Sequence, residues 1–568
     1  MRSEDQSSPA AASEAYDVVV IGAGAAGLAA AATAAARGLS VAVVESSPFV
    51  GGTSAISGGM VWAPGNDKSP HLNDSPDAVR RYLGATVPGD AGREGREAFL
   101  ARAGEAVAFL ERNTAVRLRP VASYPDYYPD TPGATAGGRV LEPVPFDARR
   151  LGQAFALLRP PLPEFTLFGG MMVSRADIPH FRKVGRSLKS TLRVARLTAA
   201  YALQRLSAPR GTTLYLGNAL MAALLRSVLD RKVTLLLATA AVALERDGNG
   251  RVCGVTVEKS GARRVVRARR GVCLASGGCS RDDALRAAHL PAAAGRLTAT
   301  VASGAPAGGV RLALEAGARL AEPAGNNAFW VPASRFRRAD GSEAVFPHTV
   351  TDRGKPGLIA VDATGRRFVN EALSYHEFVL AMLRAGNRAV PAFLICDKHF
   401  LWTYGLGRIR PFALSVQAEL DSGYLKTGAT IDALAERIGV PPDVLAATVT
   451  RFNAHAREGK DPEFGRGGDI YQRHFGDADV KPNPNVAPIT AAPFYAVAVH
   501  PADLGMSLGL ATDAGARVLD ASGAAIPGLY ACGNDMNSIM NGAYPGPGIT
   551  LGPAITFGYV AATSLAAA

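Results

Sequence analysis

Between Tyr16 and Ile21 the chain runs apolar and β-branched, and Gly22-Ala23-Gly24-Ala25-Ala26-Gly27 follows without a break. Leu28 to Arg37 then has a helical pattern that Gly38 stops, and Ser40 to Val44 is a second apolar run ending at Glu45. Period-two runs beside glycine turns predict strands, and the longer alanine-rich run predicts a helix. A strand running into glycines returns at Gly271 to Gly278 and again at Gly528 to Asn534. Residues 357–371 and 510–519 each predict strand, glycine turn, strand. Residues 430–458 predict two helices, the second opened by Pro441-Pro442-Asp443, and 235–244 predicts a core strand. Residues 459–493, rich in Gly, Pro, Asn and Asp, predict a long surface connection. Near the end, Tyr544-Pro545-Gly546-Pro547-Gly548-Ile549-Thr550-Leu551 leads into an apolar helical segment reaching Ala568. That junction sets a phenol and unpaired backbone N–H groups at one helix start, where negative charge is favoured.

The first of these patterns carries chemistry. Strand, glycine turn, helix, strand and acid, in that order, make a dinucleotide-binding unit. Gly22 makes the tight turn, Gly24 lets a pyrophosphate reach the backbone of Ala25 and Ala26, and Gly27 lets helix and strand pack closely. Glu45 is placed for ribose hydroxyls, and an acid there disfavours a 2′-phosphate. A second loop, Val50-Gly51-Gly52-Thr53-Ser54 with Ser57-Gly58-Gly59, follows directly and extends the path of a nucleotide through the protein.

Composition narrows the class. With 568 residues, 48% hydrophobic and 19% charged, the chain has ample length for a core and for more than one unit. Its net charge of +12 raises nucleic acid and anionic membrane as partners. No recognition aromatics or zinc spacings accompany the charge, which argues against nucleic acid. Arg182, Lys183, Arg186, Lys189, Arg193, Arg196, Arg205 and Arg210 fall within residues 180–210 with no acid among them and with leucines and valines between. That segment is either a basic amphipathic helix for anionic lipid or a solvated helix on the surface. Five cysteines and no CxxC pair fit unpaired thiols in a reducing, cytoplasmic setting. Residues 1–15 read as a disordered leader, and no run is long enough to span a membrane.

The N-terminal glycine set, the 50–59 loop and the two later strand–glycine stretches together resemble the FAD-dependent fumarate reductase and succinate dehydrogenase flavoprotein superfamily. That resemblance implies an α/β fold, with a Rossmann-like discontinuous FAD-binding domain (16–302 and 505–568) and an inserted α+β substrate-capping domain (303–504). It implies FAD as cofactor, held by Gly22, Gly24, Ala25, Ala26, Gly27, Glu45, Gly51, Gly52, Thr53, Ser54, Gly277, Gly278, Gly533, Asn534 and Leu551. The arginines and His-Thr loop that grip a dicarboxylate are replaced by His500 to Gly509 and by Tyr544, which points to a neutral substrate.

At Pro125-Asp126-Tyr127-Tyr128-Pro129, Gly138 to Arg149, Asn370 to Tyr375, Lys481 to Asn485, Pro493 to Ala496 and Tyr544 to Gly548, the chain is similar to the 3-ketosteroid Δ1-dehydrogenases. The resemblance implies that Tyr544 hydroxyl and Gly548 N–H bond a ring-ketone oxygen. Tyr375, with Tyr127 beside it, would take a proton from carbon 2, and hydride would pass from carbon 1 to the flavin. For that role Tyr375 must be tuned downward or share its proton through Tyr127. Expected partners are a 3-ketosteroid, an external acceptor such as a quinone, and a membrane inner face touched by 180–210. The alternative is a related flavoprotein acting on another bond, such as the steroid 4,5 bond, or on another bulky cyclic ketone, because Asn541-Gly542-Ala543 and Leu508-Gly509 depart from the family pattern. Asp126, Glu371, Asp503 and His500 are read as structural.

Overall fold

The computed structural model describes residues 14–69, 74–301 and 308–568. The strands used below are β1 (Glu14–Ile21), β2 (Val41–Val44), β3 (Thr234–Leu236), β4 (Ala240–Arg246), β5 (Val252–Lys259), β6 (Ala262–Leu274), β7 (Ala328–Arg337), β8 (Glu343–Pro347), β9 (Leu358–Val361), β10 (Ala392–Asp397), β11 (Leu425–Gly428), β12 (Phe494–Met506), β13 (Arg517–Leu519) and β14 (Ala525–Ala531). The helices are α1 (Ala25–Ala36), α2 (Leu188–Arg205), α3 (Gly308–Glu315), α4 (Tyr375–Ala385) and α5 (Leu551–Ala567).

One eight-stranded sheet runs β13-β14-β6-β1-β2-β3, with β5 hydrogen-bonded to β6 and β4 to β5. Its centre is parallel: Ile21 is paired with Val44 and with Leu274, Val44 with Leu236, and Leu274 with Ala531. Within it the stretches 18–21, 41–44, 272–274 and 529–531 are buried on both faces and read as continuous apolar runs, as parallel strands do. Helices α1 and α5 pack together beside the sheet, so the last helix of the chain covers the first. Gly558 makes the contact possible: a Cβ there would lie 2.6 Å from Ala26 O.

A second, six-stranded antiparallel sheet, β8-β7-β12-β10-β9 with β11 on β12, forms the inserted unit and has its own core around Trp330, Phe378, Leu394 and Val497. The two-unit α/β architecture agrees with the expectation, but packing shifts its edges. Glu14 and Ala15 are strand residues paired with Val266 and Arg267, so the leader read as 1–15 gives up its last two residues. Residues 1–13 lie outside the described residues, as does the boundary at 302–303. Helix α3 packs into the first core, and Ala318 and Leu320 bridge to Asp520 and Leu510, so the chain leaves the first unit after 320.

Three local expectations fail. Residues 235–244 are two strands broken at Ala238, which has φ 49°. The stretches 357–371 and 510–519 hold one regular strand each, closed by single bridges, because Asp362 and Asp513 turn the backbone with their own carboxylates. Residues 459–493 are not a surface connection throughout: a helix at Ile470–Phe475 carries Tyr471 and Gln472 into the interior, with Asn485 fully buried.

Candidate active site

The parallel pairing brings Ile21, Val44, Leu274 and Ala531 level, so the loops that follow them meet at one carboxyl edge of the sheet. Gly27 has no room for a side chain, since a Cβ there would sit 2.0 Å from Gly22 O. Glu45 accepts Ala23 N–H on one oxygen and Ser47 N–H on the other, both at 2.8 Å, which fixes its carboxylate at the edge of the turn. Ser54 Oγ accepts Ala25 N–H at 3.2 Å, joining the second glycine loop to the first. Across the sheet, Asp535 accepts from Ser276 N–H and Gly278 N–H at 2.6 Å and from Ser276 Oγ at 3.0 Å, stapling the two later loops. Asp535 was not singled out in the sequence, although it directly follows Gly533-Asn534.

These loops fit FAD. A Cβ on Gly277 would meet nothing within 4 Å, on Gly24 only Ser54 Oγ at 3.9 Å, and on Gly52 only Gly24 Cα at 3.8 Å, so bare backbone faces open space. Thr53 lies in the same loop and holds Val301 N–H at 3.1 Å. Asn534 is wedged between Gly278 and Gly505, where a Cβ would strike it. Leu551 starts α5, and the helix-start N–H set is smaller than its sequence implied: Gly552 N–H is spent on Gly548 O at 2.8 Å and Pro553 has none.

The second half of the site is a cluster of phenols. Tyr127 OH donates to Tyr375 OH at 2.9 Å. The rings of Tyr127 and Tyr544 stack at 5.6 Å and 11°, and Tyr375 meets Tyr544 edge-on at 5.2 Å. One carbonyl sets this geometry: Pro545 O accepts Tyr127 N–H at 2.9 Å and Tyr82 OH at 2.5 Å, so the late turn holds the early loop. Beneath it, Asp126 accepts from Trp62 Nε1 at 3.0 Å and Arg139 Nη1 at 2.6 Å, both partners fully buried. Gly548 has φ 89°, and a Cβ there would lie 2.5 Å from Met60 O, so only glycine fits. Its N–H has no acceptor among the described hydrogen bonds, and the residue is partly exposed.

Tyr375 is the first residue of α4, and the loop before it is anchored by Glu371, which accepts Arg367 in bidentate fashion at 2.8 and 2.9 Å and Arg466 at 3.1 Å. Arg353 Nη1 caps the Glu371 carbonyl at 2.7 Å. Asp503 pairs with Arg286, and His500 lies in β12 opposite Ala333. Asp126, Glu371 and Asp503 thus sit in ion-pair networks, and His500 occupies a strand position.

Burial raises the Tyr375 hydroxyl well above the ordinary phenol range, the charges of Tyr544 and Tyr124 add to this, and only the Tyr127 hydrogen bond pulls it down. Tyr127 is raised for the same reason, and Tyr544 is pushed up to about 12 by burial. The expected downward tuning is therefore absent, and proton sharing through Tyr127 is the element present.

Several neighbours escaped sequence reasoning. Tyr471 packs 4.9 Å from Tyr127 with a buried hydroxyl that has no partner. His376 takes Trp330 N–H on Nδ1 at 3.2 Å, and burial holds it neutral, near 3. Tyr124 packs against His474 at 5.3 Å with the rings tilted by 36°, and the Arg175 guanidinium covers the Tyr124 ring at 4.9 Å. None of these lies in a local pattern; tertiary packing alone brings them here.

Comparison with known proteins follows this geometry. The model of the FAD binding domain family matches residues 17–551. A curated relative, the 4-oxocyclohex-2-ene-1-carboxylate 5-dehydrogenase of Sinomonas cyclohexanicum, is 40% identical over 97% of this chain and 94% of its own length. The 3-oxosteroid 1-dehydrogenase of Mycolicibacterium smegmatis is 36% identical over 97% of each chain. The crystal structure of 3-ketosteroid delta1-dehydrogenase from Sterolibacterium denitrificans, in complex with 1,4-androstadiene-3,17-dione, superposes with a TM-score of 0.90 at 39% identity, covering 98% of this chain and all of that one.

Proposed function

This chain belongs to the FAD binding domain family and is an FAD-dependent oxidoreductase acting on CH–CH groups, and we propose that it introduces the 1,2 double bond of a 3-ketosteroid. The observation that carries the reading is the Tyr127–Tyr375 hydrogen bond of 2.9 Å beside Tyr544 and the free Gly548 N–H. Tyr544 OH and Gly548 N–H donate to the ketone oxygen, acidifying the neighbouring carbon and holding the enolate charge as it develops. In its ionised form Tyr375 takes the carbon 2 proton and becomes a neutral phenol, and Tyr127, whose hydroxyl donates to that oxygen, stabilises the phenolate charge before the transfer. FAD, when bound by the loops of Gly24, Glu45, Gly52, Ser54, Gly277 and Asn534, supplies the hydride acceptor for the hydrogen leaving carbon 1. Pro545 and Trp62 keep the two donors in register with the base.

Tyr544→Phe and Tyr375→Phe are each expected to retain bound flavin and to slow anaerobic flavin bleaching by 3-ketosteroids by about 10²- to 10³-fold. Near-normal bleaching in either variant would overturn the assigned roles, and the position of the product double bond, read by NMR, tests the 1,2 assignment. A second reading, a smaller ring ketone as substrate, is favoured by the 40% identity to a dehydrogenase named for a cyclohexene ketone.

Electrons leave to an external acceptor, a quinone or similar carrier, and the exposed face of α2 brings the enzyme to the inner surface of a membrane. Leu188, Leu192 and Leu203 are exposed on that helix, with Arg186, Lys189 and Arg196 beside them. Among the described residues no helix is long and apolar enough to cross a membrane.

A further inference from the structure

The Arg175 guanidinium stands at the rim of the phenol cluster without a counter-charge. It lies over the Tyr124 ring at 4.9 Å, and the Tyr124 hydroxyl in turn neighbours that of Tyr127. Its Nη2 also comes within 4.0 Å of where a Cβ on Gly58 would be, in the second glycine loop. Among the described residues no carboxylate forms an ion pair with it. The acid two residues along, Asp177, is turned away and engaged by Arg193 at 2.9 Å and by Ser174 at 2.7 Å. Glu377, on α4, is occupied by Tyr128 OH at 2.7 Å.

The surroundings deepen the imbalance. The His474 ring also packs against Tyr124, tilted at 36°, and is held neutral, near 4, by burial and then by the charges of Arg175 and Lys355. Lys355, partly buried, spends its ammonium on Gly476 O at 2.6 Å, a carbonyl and not an acid. A guanidinium left unpaired at a cleft is a ready receptor for a planar anion, which it grips with two parallel N–H groups. From Arg175 the contacts run through Tyr124, whose hydroxyl neighbours that of Tyr127, to Tyr544, on which the Tyr127 ring stacks, so the guanidinium and the ketone-binding donors belong to one cluster.

We propose that Arg175 binds a carboxylate on the substrate, so that the site takes, besides neutral ring ketones, monocyclic cyclohexanone or cyclohexenone carboxylates. This rests on the ring-ketone reading above. The ketone oxygen lies on Tyr544 and Gly548, the carboxylate on Arg175, and the proton acceptor Tyr375 faces the carbon between them. The chemistry at the ketone is unchanged: one proton to Tyr375, one hydride to the flavin, and a new carbon–carbon double bond.

The test compares 4-oxocyclohexanecarboxylate with its methyl ester on wild type, Arg175→Gln and Arg175→Lys, all checked for flavin content. Wild type is expected to favour the acid over the ester by about 10- to 100-fold in kcat/KM, carried by KM. In Arg175→Gln the ratio falls to about 1, and equilibrium dialysis shows the acid no longer retained; Arg175→Lys restores part of both. Equal use of acid and ester by wild type, or equal losses for both in Arg175→Gln, would overturn the role. A 3-ketosteroid serves as control: if it bleaches the flavin and the acid does not, only this inference fails, whereas bleaching by neither overturns the ring-ketone reading as well.

Discussion

At the scale of single residues, the unusual property of the site is that the proposed base, Tyr375, is held in the protonation state that cannot take a proton. Tyr375 is raised by burial, so its protonated form persists through neutral pH and the form able to take a proton grows as pH rises. kcat/KM for a ring ketone is therefore expected to climb by up to about tenfold per unit between pH 7 and 10, without a plateau at neutrality. Tyr127→Phe removes the one contact that lowers Tyr375, so its rising limb should move to higher pH; a pH-independent rate in wild type would rule this out. Tyr127, Tyr375 and Tyr544 were singled out in the sequence through the resemblance, each lying in a short motif shared with the 3-ketosteroid Δ1-dehydrogenases; position alone would have left Tyr127 and Tyr375 as packed rings. Tyr124, Tyr471, His376 and Arg175 were not, since what gives each its meaning is a neighbour that is distant in the chain.

At the scale of elements, the late turn and the early loop behave as one piece. Pro545 O holds Tyr127 N–H, while Asp126 next door neutralises the buried Arg139 and is bonded by Trp62. Asp126→Ala leaves Arg139 Nη1 and Trp62 Nε1 without their acceptor while Asp74, at 2.5 and 2.9 Å, remains as the counter-charge, and is expected to lower stability by about 1–3 kcal/mol, seen as a drop in Tm, and to release flavin more readily. Asp126→Asn, which keeps the Trp62 bond, should lose less; equal Tm values for wild type and Asp126→Ala would show that Arg139 is adequately served by Asp74. The parallel strands and α1 were legible because glycine spacing and apolar runs are local signals. The buried helix at 470–475 was not: its Gly, Pro and Asn neighbours signal a loop, and only the contact with the phenol cluster explains why it is inside.

At the scale of the whole molecule, charge and exposed leucine coincide on α2. The sequence reading counted eight basic residues, but Arg182, Lys183 and Arg193 are paired with Asp477, Asp479 and Asp177 from outside the segment or its edge. The attraction to lipid thus falls to fewer cations plus Leu188 at 77% and Leu192 at 62% exposure. Replacing Leu188, Leu192 and Leu203 with Glu is expected to cut co-flotation with anionic vesicles by about tenfold or more and to leave flavin content unchanged, and wild-type flotation should fall in high salt. Unchanged flotation of the variant would remove α2 as the contact.

The packing of α5 on α1, and of β14 beside β6, also bears on how the protein is made. A ribosome delivers residues 14–44 first and the strand and helix that cover them last. Until β14 and α5 emerge, the alanine-lined face of α1 and one side of β6 lack their cover, and neither Tyr544 nor Gly548 exists to meet Tyr127. Nascent chains halted before 525 would thus be sticky and cofactor-poor, so holdase chaperones should bind them and let go only once the final helix has docked.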